Sequence, residues 1–173
     1  MTDRRARMPK RASARASALT HVDEAGRVRM VDVAGKEETV REAVASAEVL
    51  MSAAARRAIR TGAVKKGDPL QTARVAGIMA AKRTSELIPL CHPIALTHVS
   101  VDLTPRPRGY RITARVGTVG RTGVEMEALA AVSVAALALY DMLKAVDRAM
   151  VIDNVRLMEK RGGRSGEYRR RER

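Results

Sequence analysis

Asp141 and Lys144 stand three residues apart, so a helix through them carries a carboxylate and an ammonium on one face. In a solvated helix such a pair is a surface ion pair. Here the residues just before it, 128–140, have no polar side chain except Ser133 and the hydroxyl of Tyr140. A charge pair closing so apolar a helix belongs at an interface or in a cleft, where burial and mutual proximity can tune either group for proton transfer. Lys66, in Lys65-Lys66-Gly67-Asp68, lies just ahead of a helix start. Backbone N–H groups and the helix dipole favour an anion there, although a solvated turn would use the same residues.

Three further groups could hold a ligand. Leu90-Cys91-His92 is framed by Pro89 and Pro93, a rigid segment suited to presenting a side chain, or a strand entrance with a satisfied histidine. Cys91 and His92 are adjacent, so their side chains diverge and a nucleophilic Cys–His pair is not expected. Glu125, Met126 and Glu127 sit at a helix start, where carboxylates complement the dipole or accept from the paired amine donors of a purine-like or pterin-like ring. Lys160 and Arg164, in the run Lys160 to Gly166 with three glycines, could cradle phosphate or form a flexible basic end. Three His and one Cys at these spacings fit no structural zinc pattern, so no metal site is expected. The glycines at 117, 120 and 123 lack the context of a Walker or dinucleotide-binding motif.

The elements that must position these groups are readable in outline. Residues 22–33 contain a turn at Gly26 and then an extended apolar alternation. Residues 41–51 fit strand and helix patterns partly, and the second half favours a strand. Ser52 and Gly62 bracket a short helix; Asp68 caps a longer one with Pro69 at its first position, ending ahead of Pro89. Residues 95–105 and 110–120 form a hairpin about Pro105-Arg106-Pro107-Arg108-Gly109. A long apolar helix and a last strand follow. Strand, helix, helix, hairpin, helix, strand implies an α+β subunit with a ferredoxin-like antiparallel sheet and helices on one face.

The chain has 173 residues, 46% of them apolar, with three Tyr and neither Phe nor Trp. Small apolar side chains bury little area each, a first hint that a partner subunit shares the core. Net charge is +14. Residues 1–18 set six Lys/Arg against one acid, and residues 156–173 eight against three, so each end carries +5 and the middle +4. We expect a disordered basic tail over 1–18, a single catalytic domain over 19–168 and a basic C-terminal tail over 169–173. One cysteine permits no intrachain disulfide and points to a reducing, cytoplasmic setting. No uncharged apolar run reaches 18 residues, so no membrane span is expected. Basic ends leave a small nucleic-acid-binding protein as the rival reading, but the missing Phe and Trp argue against base stacking.

Distance constrains the site. If Glu127 and Asp141 share one helix, they are roughly 21 Å apart at 1.5 Å per residue. One small substrate cannot touch both in one chain. Either the chain bends or two subunits combine, and the all-round apolar helix favours the second.

The stretches MVDVAGKEETVREA (30–43), KGDPLQTARVAGIMAAKRTSELIPLCHPI (66–94), TGVEMEALAAVSVAALALYDMLKA (122–145) and VRLMEKRGGRSGEY (155–168) resemble the cyclic pyranopterin monophosphate synthase family of molybdenum-cofactor biosynthesis. The resemblance covers about residues 19–168. It implies a ferredoxin-like subunit in a homohexamer, a trimer of dimers with its pocket at the dimer interface. It implies a lyase that converts 3′,8-cyclo-7,8-dihydroguanosine 5′-triphosphate to the cyclic pyranopterin with loss of diphosphate. Carried over by position, Asp141 is the catalytic acid/base, Lys144 and Lys66 the catalytic lysines, and Leu90, Cys91, His92, Met126 and Glu127 substrate contacts with Glu125 beside them. No cofactor is assigned with certainty; Mg²⁺ could accompany the triphosphate.

Overall fold

The computed structural model describes residues 26–171. The chain divides after Val31: residues 26–31 belong to a first unit, and Asp32–Arg173 form the second. The tail expected over 1–18 lies outside the described residues. In the first unit Val28 makes an isolated bridge and no strand forms; Val28 and Met30 are exposed. The extended apolar alternation expected after the turn at Gly26 is therefore irregular, with Val28 and Met30 uncovered and Val31 and Val33 half-buried.

The second unit is a five-stranded antiparallel sheet with helices: β1 Thr39–Leu50, α1 Ala53–Thr61, α2 Pro69–Lys82, α3 Thr84–Leu87, β2 Leu96–Arg106, β3 Gly109–Gly120, α4 Glu125–Leu143, β4 Val151–Arg161 and β5 Tyr168–Arg169. The sheet order is β2-β3-β1-β4-β5, every neighbouring pair antiparallel. β1 is a strand along its whole length. Its odd-numbered Ala43, Ala45, Ala47 and Val49 face the core and sit opposite Val116, Ala114, Ile112 and Tyr110 of β3. The even-numbered side carries Glu42 and Glu48, which pair with Arg115 and with Arg111 at 3.0 Å on the far face.

α4 lies on β1, β3 and β4, and α2 packs on α4 and β2, so the two long helices share one face of the sheet. Gly77 lets them approach: a Cβ there would stand 2.8 Å from the carbonyl oxygen of Ala131 and 3.1 Å from the Ala135 methyl. The helix expected to run to Pro89 breaks earlier. Arg83 N–H bonds back three residues to Ala80, and the buried Thr84 hydroxyl donates to the carbonyls of Ala80 and Ala81, turning the chain into the short α3. β5, a two-residue strand against Glu159 and Lys160, had no periodic signal to announce it.

α4 is long and apolar enough by length and composition to cross a membrane, yet half of that stretch is buried in the protein. Its inner face, Ala128, Ala131, Val132, Ala135, Leu139 and Leu143, is fully enclosed. Its outer face is not. Met126 is 38% and Leu137 58% exposed, so one subunit does not achieve the burial on all sides that the sequence anticipates.

Candidate active site

Asp141 occupies the last turn of α4, and Lys66 the turn between α1 and α2. That turn is held at both ends. Gly62 closes α1 in a left-handed conformation, φ 68°, where a Cβ would be strained. Asp68 caps α2 by accepting from the N–H groups of Leu70 and Gln71, with Pro69 in the first turn. Lys66 Nζ thereby reaches Asp141, donating to Oδ2 at 2.9 Å and to the backbone carbonyl at 3.0 Å. Lys144 Nζ, one turn along, stands 2.8 Å from Oδ1. The three expected catalytic residues are thus one cluster, each about half exposed. Asp141 sits between two ammonium groups that donate to it, chiefly Lys144, and its carboxyl is pulled down to about 2. The same contact pushes Lys144 upward. At neutral pH the cluster is an ionised acceptor with a firmly protonated donor beside it.

The opposite end of α4 holds the other group. Glu127 is 3% exposed, and burial raises its carboxyl to about 7, with the Glu125 charge adding to the rise. Cys91 is near enough to feel Glu127; burial first and that charge second push its thiol upward, which makes it a poor nucleophile. Leu90 and His92 flank it, both half-buried. Met126 points outward.

Glu125 also lines a cleft of about 710 Å³ together with Lys160 and Arg164. Six cationic residues line it (Lys36, Arg41, Arg121, Lys160, Arg161 and Arg164) against three acids, Glu37, Glu42 and Glu125. Arg41 is anchored by donating to the carbonyls of Gly120 at 2.9 Å and Arg121 at 3.2 Å. Gly162, φ 84°, lets the β4–β5 loop cross β1, since a Cβ there would meet the Val40 carbonyl at 2.1 Å. Sequence reasoning missed Lys36, Arg41 and Arg121; the β1–β3 register, which sets Arg41 against Thr118 and Thr39 against Gly120, and the β1–β4 register, which sets Ala43 against Lys160, bring them to one place. Such a cleft suits a polyphosphate. Among the described residues no group of three His, Cys, Asp or Glu side chains is placed to hold a metal ion.

Glu127 and Asp141 do share one helix, so the bend that would have joined them in one chain is excluded. From Glu125 to Asp141 the axis runs about 24 Å.

Residues 30–163 match the model of the MoaC family. A cyclic pyranopterin monophosphate synthase of Chloroflexus aggregans is 59% identical over 89% of this chain and 94% of its own length. One of Thermomicrobium roseum is 61% identical over 88% and 93%, and cyclic pyranopterin monophosphate synthase 1 of Mycobacterium bovis is 60% identical over 90% and 92%. These relatives lend the nucleic-acid reading no support. With the family model covering most of the chain and relatives near 60% identity along almost their whole length, this chain belongs to the MoaC family.

Proposed function

We propose that this chain is a lyase of molybdenum-cofactor biosynthesis that makes cyclic pyranopterin monophosphate, the product its relatives are named for, from 3′,8-cyclo-7,8-dihydroguanosine 5′-triphosphate with release of diphosphate. The observation that carries the site assignment is Asp141 held between Lys66 and Lys144. Ring opening and re-closure need a proton acceptor and donors within reach of one reacting centre, and this cluster has both. Attack of a ribose-derived hydroxyl on the α-phosphorus, expelling diphosphate, needs cations on the leaving group. Lys160, Arg164 and Arg41 of the cleft fill that role, with His92 a further candidate and Mg²⁺ able to arrive on the triphosphate. Glu125 and Glu127 accept from the ring's amine donors, while Leu90, Cys91 and Met126 bear on its faces.

One subunit is not enough. Along α4, Met126, Ala130, Ser133, Leu137, Asp141 and Lys144 recur at three- and four-residue steps, one stripe on the outward face. Two copies laid antiparallel along this stripe about a two-fold axis would set the Met126 end of one against the Asp141 end of the other. Acidic N-terminal turns would meet lysines, and the exposed Leu137 would be covered. We read the unit Asp32–Arg173 as a ferredoxin-like catalytic subunit, working in the cytoplasm as a homohexamer of such dimers. Taking the two long helices α2 and α4 and the first four strands, the connectivity β-α-β-β-α-β with order β2-β3-β1-β4 supports the fold, and the 24 Å gap supports the shared site.

The test is turnover of the cyclic dihydroguanosine triphosphate, following diphosphate release and pterin formation together. Asp141→Asn should lower kcat by on the order of 10²- to 10⁴-fold without altering assembly. A near-normal rate in that variant would overturn the assignment.

A further inference from the structure

Beyond the residues that meet substrate, the segment carrying Lys66 is fastened to the end of α4 at a second point. The carboxylate of Asp147, in the turn after α4, accepts from the backbone N–H of Ser52 at 2.7 Å through Oδ2 and from that of Ala149 at 2.9 Å through Oδ1. These bonds draw the Asp147 carboxyl below its ordinary range. Ser52 is the N-cap of α1, its hydroxyl accepting from Ala55 N–H at 3.2 Å, and α1 leads directly into the Lys66 turn. α1 has no acidic residue of its own in its first turn, so Asp147 supplies the negative charge that its N-terminus lacks.

The turn that presents Asp147 is itself rigid. Asp147 N–H and Val146 N–H both donate to the Leu143 carbonyl, at 3.0 and 2.8 Å, and Lys144 N–H bonds Tyr140. The Tyr140 hydroxyl donates to the Arg148 carbonyl at 3.0 Å. Residues 52–66 are therefore clamped to residues 141–149 at both ends, by Ser52–Asp147 at one and Lys66–Asp141 at the other.

We propose that Asp147 is a positioning residue for the reaction: its bond to Ser52 fixes α1, and through α1 sets the reach of Lys66 to Asp141. This rests on the assignment of Lys66, Asp141 and Lys144 as the reacting cluster. A misplacement of about 1 Å at reacting groups costs up to roughly 100-fold in rate, so a brace of this kind has kinetic consequences.

The experiment is a double-mutant cycle on the purified full-length enzyme, with kcat, KM and thermal midpoint measured for each variant. Asp147→Ala removes the acceptor. Ser52→Pro removes the donor, and the Ser52 φ of −64° already suits proline. Ser52→Ala removes the hydroxyl, with its cap on Ala55 and its lesser contact to the Asp147 carboxylate, but keeps the backbone donor, so its kcat should fall clearly less than that of Ser52→Pro. We expect Asp147→Ala and Ser52→Pro each to lower kcat by on the order of 10-fold or more with KM nearly constant, and the double variant to fall no further than the worse single. If kcat stays at the wild-type level while only the midpoint falls, Asp147 is a structural brace and the inference is overturned. It is equally overturned if Asp147→Ala slows the enzyme while Ser52→Pro does not, because the bond is then not the cause. Should Asp147→Ala fail to fold, Ser52→Pro against Ser52→Ala still decides. Asp141→Asn is measured alongside. An active Asp141→Asn defeats the assignment of the cluster; an inactive one beside an unaffected Asp147→Ala defeats this inference alone.

Discussion

Two carboxylates at opposite ends of α4 have been driven in opposite directions. Asp141, exposed and flanked by ammonium groups, is ionised down to about pH 2. It favours the folded state above the ordinary aspartate range, and that contribution disappears as pH falls through its depressed value. Its exposure and the screening that follows keep the effect small. In the function we propose its weight is catalytic, as an ionised acceptor whose neighbours keep their protons. Glu127 is the reverse. Burial holds it neutral until about pH 7, whereas an unfolded glutamate ionises earlier. The folded state therefore binds the extra proton between the ordinary glutamate range and about 7, and stability must fall as pH rises across that window. Glu127→Gln, which cannot ionise, should lose this fall. Thermal midpoints measured from pH 4.5 to 8 should show the wild type declining relative to the variant up to about pH 7 and running parallel above it; parallel curves throughout would contradict the assignment. The residue types of both groups were legible in the sequence. Their partners were less so: Lys66 meets Asp141 across 75 positions, and Arg41 and Arg121 enter the cleft only through strand register.

Helix ends were the most readable elements, because capping is local chemistry. Ser52, Gly62, Asp68 and Pro69 announce α1 and α2, and each does in the structure what its type favours. β1 was harder because alanine serves strand and helix alike, and its identity is settled by ladders to β3 and β4 that no local window contains. The break at Arg83 depends on the Thr84 hydroxyl turning back on α2, and β5 on a loop returning to β4. Gly77 was unremarked within its apolar helical run, yet it sets the distance between α2 and α4. Gly77→Ala would force a methyl to 2.8 Å from a backbone oxygen. We expect a loss of about 1–3 kcal/mol in denaturant unfolding, well beyond the small gain alanine gives in an open helix. An unchanged or raised stability would mean that the helix pair is looser than this packing implies.

At the scale of the whole molecule, the shared site we propose was already suggested by the sequence. A helix apolar all round, with the candidate groups at its two ends, cannot build one small-molecule site within one chain. The single subunit keeps both problems visible, in the exposed Leu137 and in the length of α4. Leu137→Asp should therefore leave the subunit folded but shift sedimentation toward smaller species and remove activity with it; an intact assembly would place the interface elsewhere. The most direct measurement uses two inactive variants that fail for different reasons, Asp141→Asn from the lysine-flanked cluster and Lys160→Met from the basic cleft, co-expressed and assayed for turnover. Random pairing makes half the dimers mixed, each with one site free of either substitution, so activity should return to about a quarter of wild type. Turnover no higher than that of the separate variants would mean that the reacting groups come from a single chain, and the shared site would have to be abandoned.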